Sequence, residues 1–342
     1  RQSRSGSLRQ NDWMSFFSAV TDFLKPAPPL SPIISKALER VGELVDPFLK
    51  TSGGFEHKLA APLEYALGYC DGLISALPGP IDLTRQAFST DPLVHALFAT
   101  ADDIDQMLGR SQAVRDYLAE PCSWDSEYFY ALFAARRLQK KQLGVAVEGE
   151  VVHNDVPQLI IYFSGQTLIE PSCTLELTQE RLRSRAIDSL LTSFHDHVET
   201  LRNERDGMRA DLSVERAHLT VLRGKTEGKE YEISTRHIAE LDTRLRETSE
   251  LLLPENMLQT LADFLHAPEP SLNLSTVSIT VDRLGIVSDD KPDDVNVHTL
   301  NFPELSSRDK RLHLVMLARI RRDEAREAVE KVRDQQHRFM LI

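Results

Sequence analysis

Residues 187–222 read IDSLLTSFHDHVETLRNERDGMRADLSVERAHLTVL, and the fold turns on the periodicity of this run. Ile187, Phe194, Leu201, Met208 and Leu222 share one seven-residue spacing. A second row, Leu191, Val198, Leu212 and Leu219, interleaves with it at steps of three and four. Apolar residues at these steps make the seam of a coiled coil, each packing between residues of a facing helix. Arg205 and Glu215 are the two seam positions that break the pattern.

Working outward, the helical pattern begins near Thr178 and stops at Gly224-Lys225-Thr226-Glu227-Gly228, where glycines can take the left-handed conformation that reverses a chain. Tyr231, Ile238, Leu245 and Leu252, with Leu241, mark a return helix that ends before Pro254. The spacing predicts a projecting antiparallel coiled-coil hairpin over residues 178–253. Its ascending helix, 178–223, spans roughly 69 Å and its return helix, 229–253, roughly 38 Å at about 1.5 Å per residue. The base of the seam, Ile187, Leu190, Leu191 and Phe194, therefore needs a further cover. Either a second subunit supplies it or the helix predicted over 255–266 does, through Met257, Leu258, Leu261, Phe264 and Leu265.

On the amino-terminal side, residues 13–142 read as a helical bundle behind a disordered polar leader, 1–12. Trp13, Phe16, Phe17, Val20, Phe23 and Leu24 mark a first helix, and Ala37, Leu38, Val41, Leu44, Val45, Phe48 and Leu49 form an apolar stripe on the next. A third helix is expected over 56–77. Asp91-Pro92, Thr100 and Ser111 look like helix caps, and a helix carrying Tyr128, Phe129, Leu132, Phe133 and Leu138 is expected to run to about Lys141. From Leu143 the period falls to two. Short strands are expected over 143–177, with turns at His153-Asn154-Asp155 and Gly165-Gln166. Strand patterns return around Val277–Val281, Leu284–Val287, Val295–Phe302 and Leu312–Ala318, before a polar helix over 323–337. The predicted class is α+β: an all-α N-terminal bundle, then a small, mostly antiparallel sheet domain (143–177 and 254–342) interrupted by the hairpin.

The 342 residues carry a formal net charge of -12, which disfavours nucleic acid because such binding draws on clustered cations. Cys70, Cys122 and Cys173 are odd in number and distant in sequence, fitting reduced thiols and a cytoplasmic location better than a disulfide framework. No apolar run is long enough to span a bilayer.

Few residues carry a chemical signature. His195 and His197 lie two apart on a helix, about 200° around it, so they cannot share a face as metal ligands at spacings of three or four do. His95 reads as a hydrogen-bonded core histidine. Asp102, Asp103 and Asp105 match the acidic start of a helix, and Asp289, Asp290, Asp293 and Asp294 a solvated loop. Gly224-Lys225-Thr226 lacks the first glycine and the strand of a phosphate loop, and Gly165 lacks the flanking glycines of a nucleophile elbow. Arg308, Lys310, Arg311, Arg319, Arg321 and Arg322 concentrate positive charge near the carboxyl end, either on a salt-bridged face or as an acid-binding patch. No catalytic residue, metal or cofactor is assigned.

The expectation is a non-catalytic interaction or scaffold protein that binds a protein partner or itself, as a homo-oligomer, through the seam Ile187, Leu191, Phe194, Val198, Leu201, Met208, Leu212, Leu219 and Leu222. The alternatives are a peripheral membrane adaptor docked through its amino-terminal helices and an enzyme whose site is assembled from scattered residues.

Overall fold

The computed structural model describes residues 30–148, 151–222, 229–282, 284–287, 297–307 and 311–340. The expected leader, the Trp13 helix, the glycine turn at 224–228, the acidic loop at 289–294, Arg308 and Lys310 lie outside them.

The chain is α+β. Helices α1 (Pro32–Leu44), α2 (Phe55–Ser75), α3 (Arg85–Thr90), α4 (Pro92–Leu97), α5 (Ala101–Arg110) and α6 (Gln112–Ala119) come first, with the short strand β1 (Ile81–Asp82) after α2. Strands β2 (Tyr128–Glu148) and β3 (Val151–Ser172) follow, then helices α7 (Leu175–Leu222), α8 (Lys229–Leu251) and α9 (Pro254–His266). Strands β4 (Leu272–Asp282), β5 (Val297–Ser307) and β6 (Leu312–Arg321) and helix α10 (Arg322–Met340) complete it. The sheet order is β3-β2-β6-β5-β4, antiparallel throughout, with β1 added parallel to β6. Strands from both sides of the helical excursion thus share one sheet.

The helix caps read from sequence are present. Asp91 accepts from the Leu93 amide at 2.8 Å, Ser111 from the Val114 amide at 3.3 Å, and Thr100 forms a capping box with Asp103. The helix expected to run to Lys141 is instead the strand β2. Its run Tyr128-Phe129-Tyr130-Ala131-Leu132-Phe133-Ala134-Ala135 is apolar on both sides, and so has neither period. Both faces are covered: Phe129, Ala131, Phe133 and Ala135 join one core and Leu132 and Ala134 another. A strand buried on two faces needs no alternation.

The turns expected at 153–155 and 165–166 are also corrected. β2 and β3 form one long hairpin, paired from Tyr130↔Ser172 to Glu148↔Val151, with three register shifts. Asp155 (φ 62°), Gly165 (φ 64°) and Glu170 (φ 51°) sit opposite those shifts. The turn-forming residues mark bulges, where one extra residue bends a strand without ending it.

The helices expected to form one amino-terminal bundle divide between two cores. Helices α3 to α6 cover one face of the sheet with α10, through Val94, Ile104, Leu108, Val114, Tyr117 and Ala328. Helices α1 and α2 pack instead with α7 and α9, where Val41, Leu59, Leu63, Leu191, Phe194 and Leu261 are buried. Past Ala135, β2 pairs among the described residues with β3 alone, and residues 285–287 bridge the sheet's two edges. Ile160 pairs with Ile286, and Val287 with Val281 of β4. Gly285 (φ 77°) permits that approach, since a Cβ there would lie 2.6 Å from the Ile161 carbonyl oxygen.

Candidate interaction surface

Helix α7 is 48 residues long, about 72 Å, whereas α8 has 23, about 35 Å. The mismatch splits α7 into a root held by the body and a distal half met by α8. At the root, the buried Thr178 hydroxyl donates to the Tyr130 carbonyl of β2 at 3.1 Å. Arg40 of α1 grips Asp188 with two hydrogen bonds, 3.0 and 2.7 Å. Arg202 pairs with the buried Asp46, Arg183 pairs with Asp71, and the ring of His195 meets the Val45 carbonyl through Nδ1 at 3.0 Å. Charged side chains along one flank thus fix where α7 crosses α1 and α2.

The expected seam residues fall into two groups. Ile187, Leu191, Phe194 and Val198 are buried against α1, α2 and α9, and Phe194 meets Phe264 at 5.4 Å between ring centroids. The base of the seam is therefore covered within the chain, by α1 and α2 together with the helix at 254–266. Met208 and Leu212 are buried against Leu241 of α8, flanked by Ile238 and Leu245. Leu201 and Leu219 are half-buried, and the Leu222 side chain lies outside the described residues. Glu215, which breaks the seam in sequence, accepts a hydrogen bond from the buried Ser234 hydroxyl of α8. Arg205 turns aside to Asp206 at 2.9 Å. The seam's buried residues are thus occupied by this chain's own helices.

The surface left over lies opposite. Gly207, Ala210, Val214, Ala217 and Val221 step by three and four along the distal half of α7, and all are exposed. Val214 is 69% exposed, Val221 62%, and a Cβ on Gly207 would meet nothing within 4 Å. These positions are each two residues beyond a seam position, about 200° around the helix. The distal half of α7 therefore carries apolar rows on opposite faces, one covered by α8 and one bare. The signal was legible in the sequence, but small residues score weakly beside the leucines of the main seam.

Other candidate residues have local partners. The His95 ring meets the Phe88 carbonyl through Nδ1 at 3.2 Å and lies against the Phe88 ring. Asp102 and Asp105 both hold Arg85, and Asp103 accepts from the Thr100 amide at 2.8 Å. Arg319 pairs with Asp82 and lies over the Tyr128 ring, while Arg321 and Arg322 approach Glu324 and Asp323. Near the exposed Arg311, desolvation and the charges of Arg136 and Arg311 push the His313 imidazole down. His197 lies edge-on to Phe194. Among the described residues no cluster of three or more acidic, histidine or cysteine side chains could hold a metal, and no helix is long and apolar enough to cross a membrane.

A cleft of about 680 Å³ lies between α3, α4, β3 and the residues Val281, Asp282, Leu284 and Gly285, with His95, Asp282 and His298 on its walls. Asp282 is committed to the local turn, accepting from the Leu284 and Ile286 amides at 2.8 Å each. Two of these three groups, His95 and Asp282, are thus bound into the cleft's own walls. In comparisons with family models, curated proteins and solved structures, nothing matches this chain.

Proposed function

We propose that this protein is a non-catalytic interaction protein whose projecting helical hairpin binds a second copy of itself. The bare row Gly207–Ala210–Val214–Ala217–Val221 is the observation that carries the reading. It repeats the three-and-four spacing by which α7 and α8 already pack, so two copies of it can interdigitate as knobs into holes. Its small side chains allow close helix approach, and a two-fold contact of one surface with itself closes without forming a filament. The main seam contributes by holding α7 straight, not by meeting a partner, because its buried residues are already covered.

The row covers 15 positions, about 22 Å of helix, which makes a small interface and an expected dissociation constant on the order of 1–100 µM. Sedimentation velocity should show a concentration-dependent dimer in that range. Val214→Asp with Val221→Asp should hold the chain monomeric, and should leave Tm unmoved at concentrations well below the dissociation constant, where both side chains are in water. Wild-type protein that stays monomeric to about 100 µM overturns the reading.

A further inference from the structure

The sheet's two edge strands, β3 and β4, are joined through residues 285–287. The Val287 amide donates to the Leu159 carbonyl of β3 at 2.8 Å, and the Ile161 amide to the Gly285 carbonyl at 2.9 Å. The Asp282 amide of β4 donates to the Ile286 carbonyl at 3.0 Å. The strand order therefore closes into a ring with one face turned inward. Phe163 of β3 and Phe302 of β5 meet on that face, 5.2 Å between ring centroids, although β2 and β6 lie between their strands. The mouths of closed sheets are common sites for small molecules. The cleft of about 680 Å³ opens at this mouth, beside α3 and α4, and its volume is that of a small-molecule pocket. Phe302, Leu300 and His298 step by two along β5 and so share the inward face. Phe302 is buried, Leu300 is a cleft wall, and at His298 the row turns polar. Phe88 and Phe163 are half-buried, packed on the core and lining the cleft.

Both carboxylates on the walls keep an acceptor. Asp91 commits one oxygen to the Leu93 amide, and Asp282 commits one to the Leu284 and Ile286 amides, which leaves each its second oxygen. His95 turns Nδ1 to the Phe88 carbonyl, so the hydrogen of its neutral ring sits there and Nε2 accepts. No lysine or arginine stands among the described residues that line the cleft. We propose that this cleft binds a small amphiphilic amine, its ammonium group toward the Asp91 and Asp282 carboxylates and its apolar body against Phe88, Phe163 and Leu300. A cation gains twice there, from charge-assisted hydrogen bonds to the carboxylates and from the negative faces of the aromatic rings. An anion of the same shape would be set beside like charges. No described residue of α7 or α8 lines the cleft, so this site and self-association through the hairpin stand or fall separately.

The test is calorimetric titration of the full chain with three indoles of similar shape: tryptamine, a cation; 3-methylindole, neutral; and indole-3-propionate, an anion. Tryptamine should bind once per chain, with a dissociation constant on the order of 10–1,000 µM. Indole-3-propionate should bind at least about tenfold more weakly, with 3-methylindole between them. Asp91→Asn with Asp282→Asn removes both charges yet keeps an amide oxygen for the same backbone N–H groups, so the fold should hold. That variant should lose about tenfold in tryptamine affinity and keep its affinity for 3-methylindole. Ala96→Trp, which fills the cleft from the α4 wall, should abolish binding of all three while thermal unfolding stays cooperative. No saturable tryptamine binding, equal or tighter binding of indole-3-propionate, or tryptamine binding indifferent to Ala96→Trp overturns the site. A doubly substituted Asp91→Asn, Asp282→Asn chain that binds tryptamine as the wild type does overturns the preference for an amine.

Discussion

Glu304 is only 3% exposed, and Arg137 meets it with a bidentate contact, 2.5 Å from Nε and 3.2 Å from Nη2. The two side chains reach across from β2 and β5, which flank β6 in the sheet. A charge buried this far is tolerable only while its partner remains. Arg137→Met should cost about 3–5 kcal/mol by leaving the carboxylate uncompensated, and adding Glu304→Leu should recover much of that loss. Urea denaturation of the two variants checks this; a double variant no more stable than Arg137→Met would show that packing, not charge, sets the cost. The same logic applies to Asp46, which caps the 3-10 turn at 47–51 through the Phe48 amide and holds Arg202.

Among the elements, α7 does two jobs along one helix, and the change comes between Val198 and Met208. Before it, the seam is part of the body's core; after it, the seam belongs to a two-helix pair. Phe194→Ala should cost about 3–5 kcal/mol, since the ring is 1% exposed and packs on Phe264. Arg205→Ala should stay within about 0.5 kcal/mol, because the side chain pairs with the adjacent, exposed Asp206. Equal effects in chemical denaturation would mean that the division of α7 is misplaced.

At the scale of the whole molecule, the hairpin is an excursion only in its outer part. Removing all of 173–270 takes away Leu191, Phe194, Leu258 and Leu261, the inner half of a core shared with α1 and α2, so the remainder should not fold cooperatively. Replacing residues 209–244 with a short glycine-serine linker removes only the paired outer half. Thermal unfolding of that shortened chain should stay cooperative, with the near-ultraviolet signal of the body retained. A molten remainder would show that the outer half supports the body, and the apolar row would then be secondary.

The sequence determined the helices best, because their information is local. Heptad spacing placed α7 and α8, and short-range hydrogen bonds at Asp91, Thr100 and Ser111 placed α4, α5 and α6. It also showed that the base of the α7 seam needed a cover beyond the return helix, from residue lengths alone. Tertiary structure decided what carried no local signature. Tyr128–Ala135 is a strand because packed layers lie on both its faces, and an apolar run without a period is silent on that. Asp155 and Gly165 bend a strand where isolated turn chemistry would reverse it, since the choice belongs to the partner strand opposite. The Glu304–Arg137 pair met for the same reason: contact between distant residues is set by how strands and layers stack, which no spacing along the chain encodes.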